Sequence, residues 1–335
     1  MSEPGRALVT GGAGFIGSEL VAQLVAGGWE VVVIDNLATG CWQNLDGLGL
    51  TASALITGDV RDAPLLARLM AGVDTVFHLA CRGVRFSLHS PQETHEVNAT
   101  GTLVVLEAAR HAGIRRFVQV SSSEVYGIAG DPPMHEDGPT LPTTAYGASK
   151  LAGEAYARAN HRCYGLPVTI VRPFNSFGPR SHHEGDAGEV IPKFVLRALA
   201  GQQLTLFGDG QQTRDFCYVA DTAHGLILAA TRAEALGETI NLGSGSELSI
   251  RDLAQAVLMA VGNNRATLRF DAARPGDLPR LYAATDKAER LLGFRPSIAF
   301  NEGLARLIAW YGRDAKLAEK RLHQDIVRNW DPVHE

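Results

Sequence analysis

Apolar residues run along this chain in two rhythms. Short unbroken runs occur at Arg6–Thr10, at EVVVI (30–34), Ala54–Thr57, Thr75–Leu79, Phe117–Ser121 and Val168–Val171. Each has the length of a strand buried on both faces. Longer stretches with helical spacing lie between them: Phe15–Ala26, Pro64–Ala71, Glu93–Ala112 and Tyr146–Tyr164. Wholly apolar strands alternating with helices predict an α/β fold with a parallel sheet covered on both faces. The rhythm changes after Arg172-Pro173. Residues 175–189 are rich in Gly, His and charge and read as a loop. A helix (Ile191–Ala200), a short strand (Leu204–Phe207), the turn Gly208-Asp-Gly210 and two late helices (Ile250–Val261, Asn301–Trp310) follow. Asp221–Ala230 reads as a helix returning to the first part. The expected division is 1–173 with a return segment near 218–242, and 174–335 as a smaller unit. Neither an internal repeat nor a low-complexity tract interrupts this pattern.

Glycines mark the first βα turn. Thr10-Gly-Gly-Ala-Gly-Phe-Ile-Gly17 places them at 11, 14 and 17, between a strand and a helix. Gly11 permits the tight turn, Gly14 lets backbone approach a diphosphate, and Gly17 lets the helix pack close to the sheet. The free N–H groups of the helix start then face phosphate oxygens. An acid, Asp35, closes the next strand 18 residues after Gly17. Its carboxylate suits a ribose diol and repels a 2′-phosphate, so NAD is expected over NADP. Residues 1–173 are therefore expected to form a Rossmann-type, doubly wound domain. Asp59-Val60, after the third strand, either caps the adenine or forms a surface turn.

A second pattern opens a later helix. In Thr144-Ala-Tyr146-Gly-Ala-Ser-Lys150 the tyrosine and lysine are four apart and share a helix face. The nearby ammonium, aided by a positive nicotinamide ring, lowers the phenol pKa towards neutrality. A phenolate can take the proton of an alcohol as its hydride leaves. Alone, the pair is an ordinary solvated one; the upstream phosphate loop and the hydroxyls at Ser121–Ser123 favour catalysis.

Composition narrows the partners. The chain has 335 residues, 45% hydrophobic and 20% charged, ordinary for a globular protein. Lys plus Arg is 31 against 36 Asp plus Glu, a net charge of −5. Nothing here draws nucleic acid or an anionic membrane, so an anionic ligand must be held by local groups. No apolar run approaches the roughly 20 residues of a membrane span. Cys41, Cys81, Cys163 and Cys217 form no C-x-x-C pair, and the N-terminus runs straight into a strand-like segment. Free thiols and a cytoplasmic location are expected. His182-His183-Glu184 brings two adjacent histidines that point in different directions, and no second cluster completes a site. No metal is expected there; a loop over the substrate is.

Taken together, TGGAGFIG, Asp35, HLA at 78–80, SSSEVYG, YGASK, RPFNSFGP and RPGD resemble an extended short-chain dehydrogenase/reductase. Within that family the likeness is to NAD-dependent nucleotide-sugar epimerases and dehydratases. It covers nearly the whole chain, with the motifs in the family's order. It implies a homodimer, a C-terminal α/β domain holding a nucleoside diphosphate-sugar, and Ser122 as the catalytic hydroxyl beside Tyr146 and Lys150. It further implies cofactor contacts at Phe15, Ile16, Asn36, Leu79 and Ala80, and at Asn98, Ser121 and Pro173. Substrate contacts are implied at Asn175, Arg214 and Arg274, with Val190 and Ser87 beside them. Lys193 is a weaker phosphate candidate. Phe207 either stacks on the base or belongs to the core.

Glu124 decides between reactions. A 4-epimerase of the family works with hydroxyl, Tyr and Lys alone, whereas the 4,6-dehydratases carry Glu here. Oxidation at carbon 4 acidifies the hydrogen on carbon 5, and a carboxylate nearby can remove it. Alternatively Glu124 only binds a sugar hydroxyl or caps the next turn. Ser123 replaces the Asp that many dTDP-glucose dehydratases use as acid; the Ser-Glu pair is closer to GDP-mannose and UDP-N-acetylhexosamine dehydratases. Arg82 or Arg85 can hold an acidic sugar, which keeps UDP-glucuronate decarboxylation open. The leading expectation is a 4,6-dehydratase, then a 4-epimerase, then the decarboxylase. A non-catalytic NAD-binding sensor stands further off, because it has no need of Ser122, Tyr146 and Lys150.

Overall fold

The computed structural model describes residues 5–128, 131–184, 188–273, 277–313 and 322. Its centre is a parallel sheet of β1 (Arg6–Thr10), β2 (Glu30–Asp35), β3 (Leu55–Thr57), β4 (Thr75–His78), β5 (Arg116–Val120), β6 (Val168–Pro173) and β11 (Thr239–Leu242). The order across the sheet is β11-β6-β5-β4-β1-β2-β3. The chain first winds outward from β1 to β3, then crosses back to β4. That reversal opens a crevice at the C-terminal ends of β1 and β4, where ligands of doubly wound sheets sit.

Both faces of the sheet are covered, as the apolar strands require. One is packed by α1 (Phe15–Ala26) and α8 (Val219–Thr231), with Leu20, Leu24, Val33, Phe77, Leu226 and Ile240 buried between. The other is packed by α2 (Ala63–Leu69), α5 (Gly101–Ala112) and α6 (Ala145–Tyr164) over Leu8, Ile34, Leu66, Val105 and Phe117. α8 and β11 return to the sheet from beyond residue 218, in line with the apolar run at 221–230. A separate core joins α7 (Val190–Leu199), α9 (Ile250–Val261) and α11 (Phe300–Gly312) to β8 (Leu204–Phe207) and β10 (Phe216–Tyr218).

The helix expected over 93–112 is not uniform. After the short helices α3 (Phe86–His89) and α4 (Pro91–His95), Glu96–Thr100 forms a π-helical turn that leads into α5. The cause is local. Asn98 Oδ1 accepts from Arg82 N at 2.7 Å, and its Nδ2 donates to Ser149 Oγ at 3.1 Å. Drawing that side chain inward widens the turn.

Beneath the reactive end of the sheet lies a buried ion pair. Arg172 of β6 donates from Nε and Nη2 to the Glu154 carboxylate at 2.8 and 2.7 Å, and Ser121 Oγ donates to it at 2.6 Å. Burial pushes the Glu154 carboxyl up, but the bonds and charge of Arg172 outweigh it and hold it below its ordinary value. Its stabilising contribution is therefore present above the unfolded value of 4.5 and is lost as pH falls below it. Glu154→Gln strands a buried guanidinium and should cost about 3–5 kcal/mol in urea unfolding. It should also flatten the loss of stability on acidification. An unchanged midpoint would mean that the pair contributes nothing.

Candidate active site

A cavity of about 610 Å³ follows the C-terminal ends of β1, β4, β5 and β6 and continues to α7, β8 and β9 (Thr213–Arg214). Its first half is lined by Gly11, Gly14, Phe15, Ile16 and Gly17, by Asp35, Asn36 and Val60, and by Leu79 and Ala80. The glycines are required there. A Cβ on Gly17 would lie 2.1 Å from the Gly11 carbonyl oxygen, and one on Gly11, whose φ is +70°, 2.8 Å from Ala80 N. Asp35 accepts from Ala13 N at 3.0 Å and Leu37 N at 2.8 Å, which fixes its carboxylate beside the phosphate loop. A backbone cradle with no room for side chains, next to a fixed carboxylate, fits a dinucleotide.

The loop after β2 is tied to the phosphate loop. Cys41 N and Asn44 Nδ2 donate to Ala13 O at 3.2 and 2.8 Å. Arg180, from the segment after β6, pairs with Glu19 of α1 at 2.5 Å and donates to Asn44 O at 3.2 Å.

At the midpoint stand Ser121, Ser122, Ser123, Glu124, Tyr146, Lys150 and Pro173. Thr144 caps α6 through its side chain, accepting from Gly147 N at 3.0 Å, so Tyr146 opens the helix in a fixed place. Ser122 Oγ accepts from Glu124 N at 3.2 Å and hydrogen-bonds the Tyr146 phenol. Lys150 is buried, donates to Val120 O at 3.0 Å, and its Nζ lies 5.8 Å from the Tyr146 ring centroid. The chain's own groups hold the phenol well above its ordinary value: burial first, then the charges of Cys81, Glu124 and Glu189, against the bond from Ser122. Burial, the largest influence, sets the direction and opposes the lowering expected from Lys150.

The other half is lined by Asn175, Val190, Lys193, Phe207 and Arg214. Arg214 donates to Thr213 O and Leu278 O at 2.7 and 2.8 Å and pairs with Asp277. Three expected contacts lie off the cavity wall. Asn98 lies behind the wall and holds the Arg82 loop; Asp59 is paired with Arg61 at 2.7 Å; Ser87 is buried and donates to Val84 O at 2.5 Å. Arg274 lies outside the described residues. Arg82 pairs with Glu93 at 2.5 Å and stacks on Phe86, and both Arg82 and Arg85 line the cavity. His182 and His183 both pair with Glu184, at 3.1 and 3.0 Å.

Among the cavity residues that escaped the sequence reading, one carries a carboxyl at the start of α7. Glu189 precedes α7 at the cap position, yet its side chain makes no cap bond and lines the cavity. The available signal was an acid directly before an apolar helix, which reads as a routine helix start.

Residues 7–243 match the family described as "NAD dependent epimerase/dehydratase family". The chain belongs to that family. It is 37% identical over 310 residues to the UDP-glucose 4-epimerase of Mycolicibacterium smegmatis, covering 91% of this chain and 98% of the relative. It is equally 37% identical over 311 residues to a dTDP-glucose 4,6-dehydratase of Streptomyces griseus, covering 91% and 93%. Among solved structures, the dTDP-glucose 4,6-dehydratase DesIV of Streptomyces venezuelae, with NAD and TYD bound, superposes with a TM-score of 0.87 at 38% identity. That match covers 94% of this chain and 99% of the other. The protein is thus an NAD-dependent nucleotide-sugar epimerase/dehydratase with a Rossmann-like fold. No helix among the described residues is long and apolar enough to cross a membrane.

For this epimerase/dehydratase, Asp35→Ser should weaken NAD binding roughly tenfold to hundredfold, the worth of charge-assisted hydrogen bonds. NADP affinity should rise at the same time. Calorimetry on cofactor-stripped protein reads both, and an unchanged NAD/NADP ratio would remove Asp35 as the discriminating group.

Proposed function

We propose that the protein is a nucleoside diphosphate-hexose 4,6-dehydratase. The observation that carries this reading is Glu124, a carboxylate on the cavity wall beside Ser122 whose charge acts on the Tyr146 phenol. Tyr146, with Ser122 bonded to it, takes the proton from the hydroxyl on carbon 4 as a phenolate, the form that the positive nicotinamide ring of bound NAD would favour against the burial that raises the phenol here. When bound, NAD accepts the hydride from that carbon and later returns it to carbon 6. Lys150 holds the phenol's helix against β5. Glu124 removes the proton on carbon 5, which the new ketone has made acidic. Asn175, Lys193 and Arg214 hold the diphosphate and ribose, Val190 adds backbone, and Phe207 stacks on the base. The fixed Asp277 partner of Arg214 orients its guanidinium for that work. The enzyme acts in the cytoplasm as a homodimer.

A 4-epimerase is the second reading, favoured by the equal identity to the Mycolicibacterium smegmatis relative. It needs Ser122, Tyr146 and Lys150 but gives Glu124 only a binding role. Decarboxylation stands third: Arg82 is paired with Glu93, which leaves Arg85 on the cavity wall as the candidate to hold an acidic sugar. Incubation of the NAD-loaded protein with UDP-, dTDP- and GDP-hexoses, followed by mass spectrometry, separates them. Loss of one water supports dehydration. An unchanged mass at a new retention time moves the epimerase to first place.

A further inference from the structure

Eliminating water from a hexose requires two proton transfers at neighbouring carbons. One proton leaves carbon 5, and another must reach the oxygen departing from carbon 6, since hydroxide leaves poorly. Glu124 cannot be base and acid at the same moment. Tyr146 holds the carbon-4 proton in a buried phenol whose pKa is raised, and it and the hydroxyls of Ser122 and Ser123 part with their protons too reluctantly to drive the loss of hydroxide.

Glu189 fits the vacant role by position. Its carboxyl stands at the start of α7, unused as a cap, on the wall of the cavity that holds Glu124 and Tyr146. Its charge reaches the same phenol as that of Glu124. The backbone on either side is fixed: Glu189 N donates to His182 O at 2.8 Å, and Glu189 O accepts from Lys193 N at 3.3 Å. The charged groups around the carboxyl are His182, Arg85 and Glu184, with the Tyr146 phenol across the cavity. Burial pushes it up to about 7, against the pull of His182 and Arg85. A carboxyl in that range keeps a proton to give at neutral pH.

We propose that Glu189 is the general acid of the elimination, delivering the proton to the hydroxyl that leaves carbon 6. The inference rests on the dehydratase reading above. In the step, the carbon-5 proton passes to Glu124, and its electron pair forms the double bond between carbons 5 and 6. The carbon-6–oxygen bond breaks with its pair on oxygen, which gains the Glu189 proton and departs as water. When the hydride returns to carbon 6, Glu124 gives its proton back to carbon 5. The proton held by Tyr146 restores Glu189, so both groups end as they began.

The test compares NAD-loaded wild type and Glu189→Gln on dTDP-glucose and UDP-glucose, each beside its 6-deoxy-6-fluoro analogue. Fluoride leaves without needing a proton. With the 6-hydroxyl sugars the variant should lose product formation roughly 100- to 10,000-fold. It should still exchange the carbon-5 hydrogen with deuterated water. With the fluoro sugars it should release fluoride at close to the wild-type rate. A variant that dehydrates the 6-hydroxyl sugar normally, or is equally slow on both substrates, overturns the role of Glu189. A wild type that converts sugar with no change of mass overturns the dehydratase reading, and Glu189's role with it.

Discussion

Tyr146→Phe should abolish the first oxidation while leaving the cofactor bound. The substitution removes one hydroxyl and keeps the ring. The phosphate loop, Asp35 and the contacts made on Ala13 are untouched. What disappears is the acceptor for the carbon-4 proton, together with the partner of Ser122. General base catalysis is worth roughly 100- to 10,000-fold, or about 3 to 5 kcal/mol of barrier. Mixing the variant with sugar nucleotide should therefore give almost no absorbance of reduced cofactor, while calorimetry returns an ordinary affinity for NAD. Conversion near the wild-type rate would show that another group takes the proton.

The second large effect is expected at Glu124. Glu124→Gln keeps the shape and most of the hydrogen bonds, including Glu124 N to Ser122 Oγ at 3.2 Å, but cannot accept a proton. Tyr146 still works, so reduced cofactor should appear. The path should then stall, because the carbon-5 proton has no acceptor. Product release should fall by a similar factor of roughly 100 to 10,000, and exchange of the carbon-5 hydrogen with deuterated water should vanish with it. The pairing of retained oxidation with lost exchange distinguishes a base from a binding group. If the variant turns over normally, Glu124 only holds a sugar hydroxyl.

The sheet could be read from the sequence because burial on both faces leaves no polar alternation to blur its strands. The phosphate loop could be read because glycine is obligatory where the Gly11 carbonyl lies 2.1 Å from a would-be Cβ on Gly17. Tyr146 and Lys150 were legible from helical spacing. Three other features were not. The π-turn at Glu96–Thr100 arises from Asn98 bonding to Arg82 and Ser149, contacts made across 16 and 51 positions that no local window contains. The phenol's raised pKa comes first from burial, then from the charges of Cys81, Glu124 and Glu189, an environment that only the fold assembles around Tyr146. Asp59 was a candidate for adenine because it follows a strand, but Arg61, two residues on, claims its carboxylate first.

Arg180 ties together parts of the chain that belong to different halves of the molecule. It leaves the segment that leads towards Glu189 and α7, and it grips Glu19 of the phosphate-loop helix and Asn44 of the loop after β2 at once. One guanidinium thus joins the helix of the phosphate loop to the chain that runs on towards the other half of the cavity, so neither can shift without parting a charged contact.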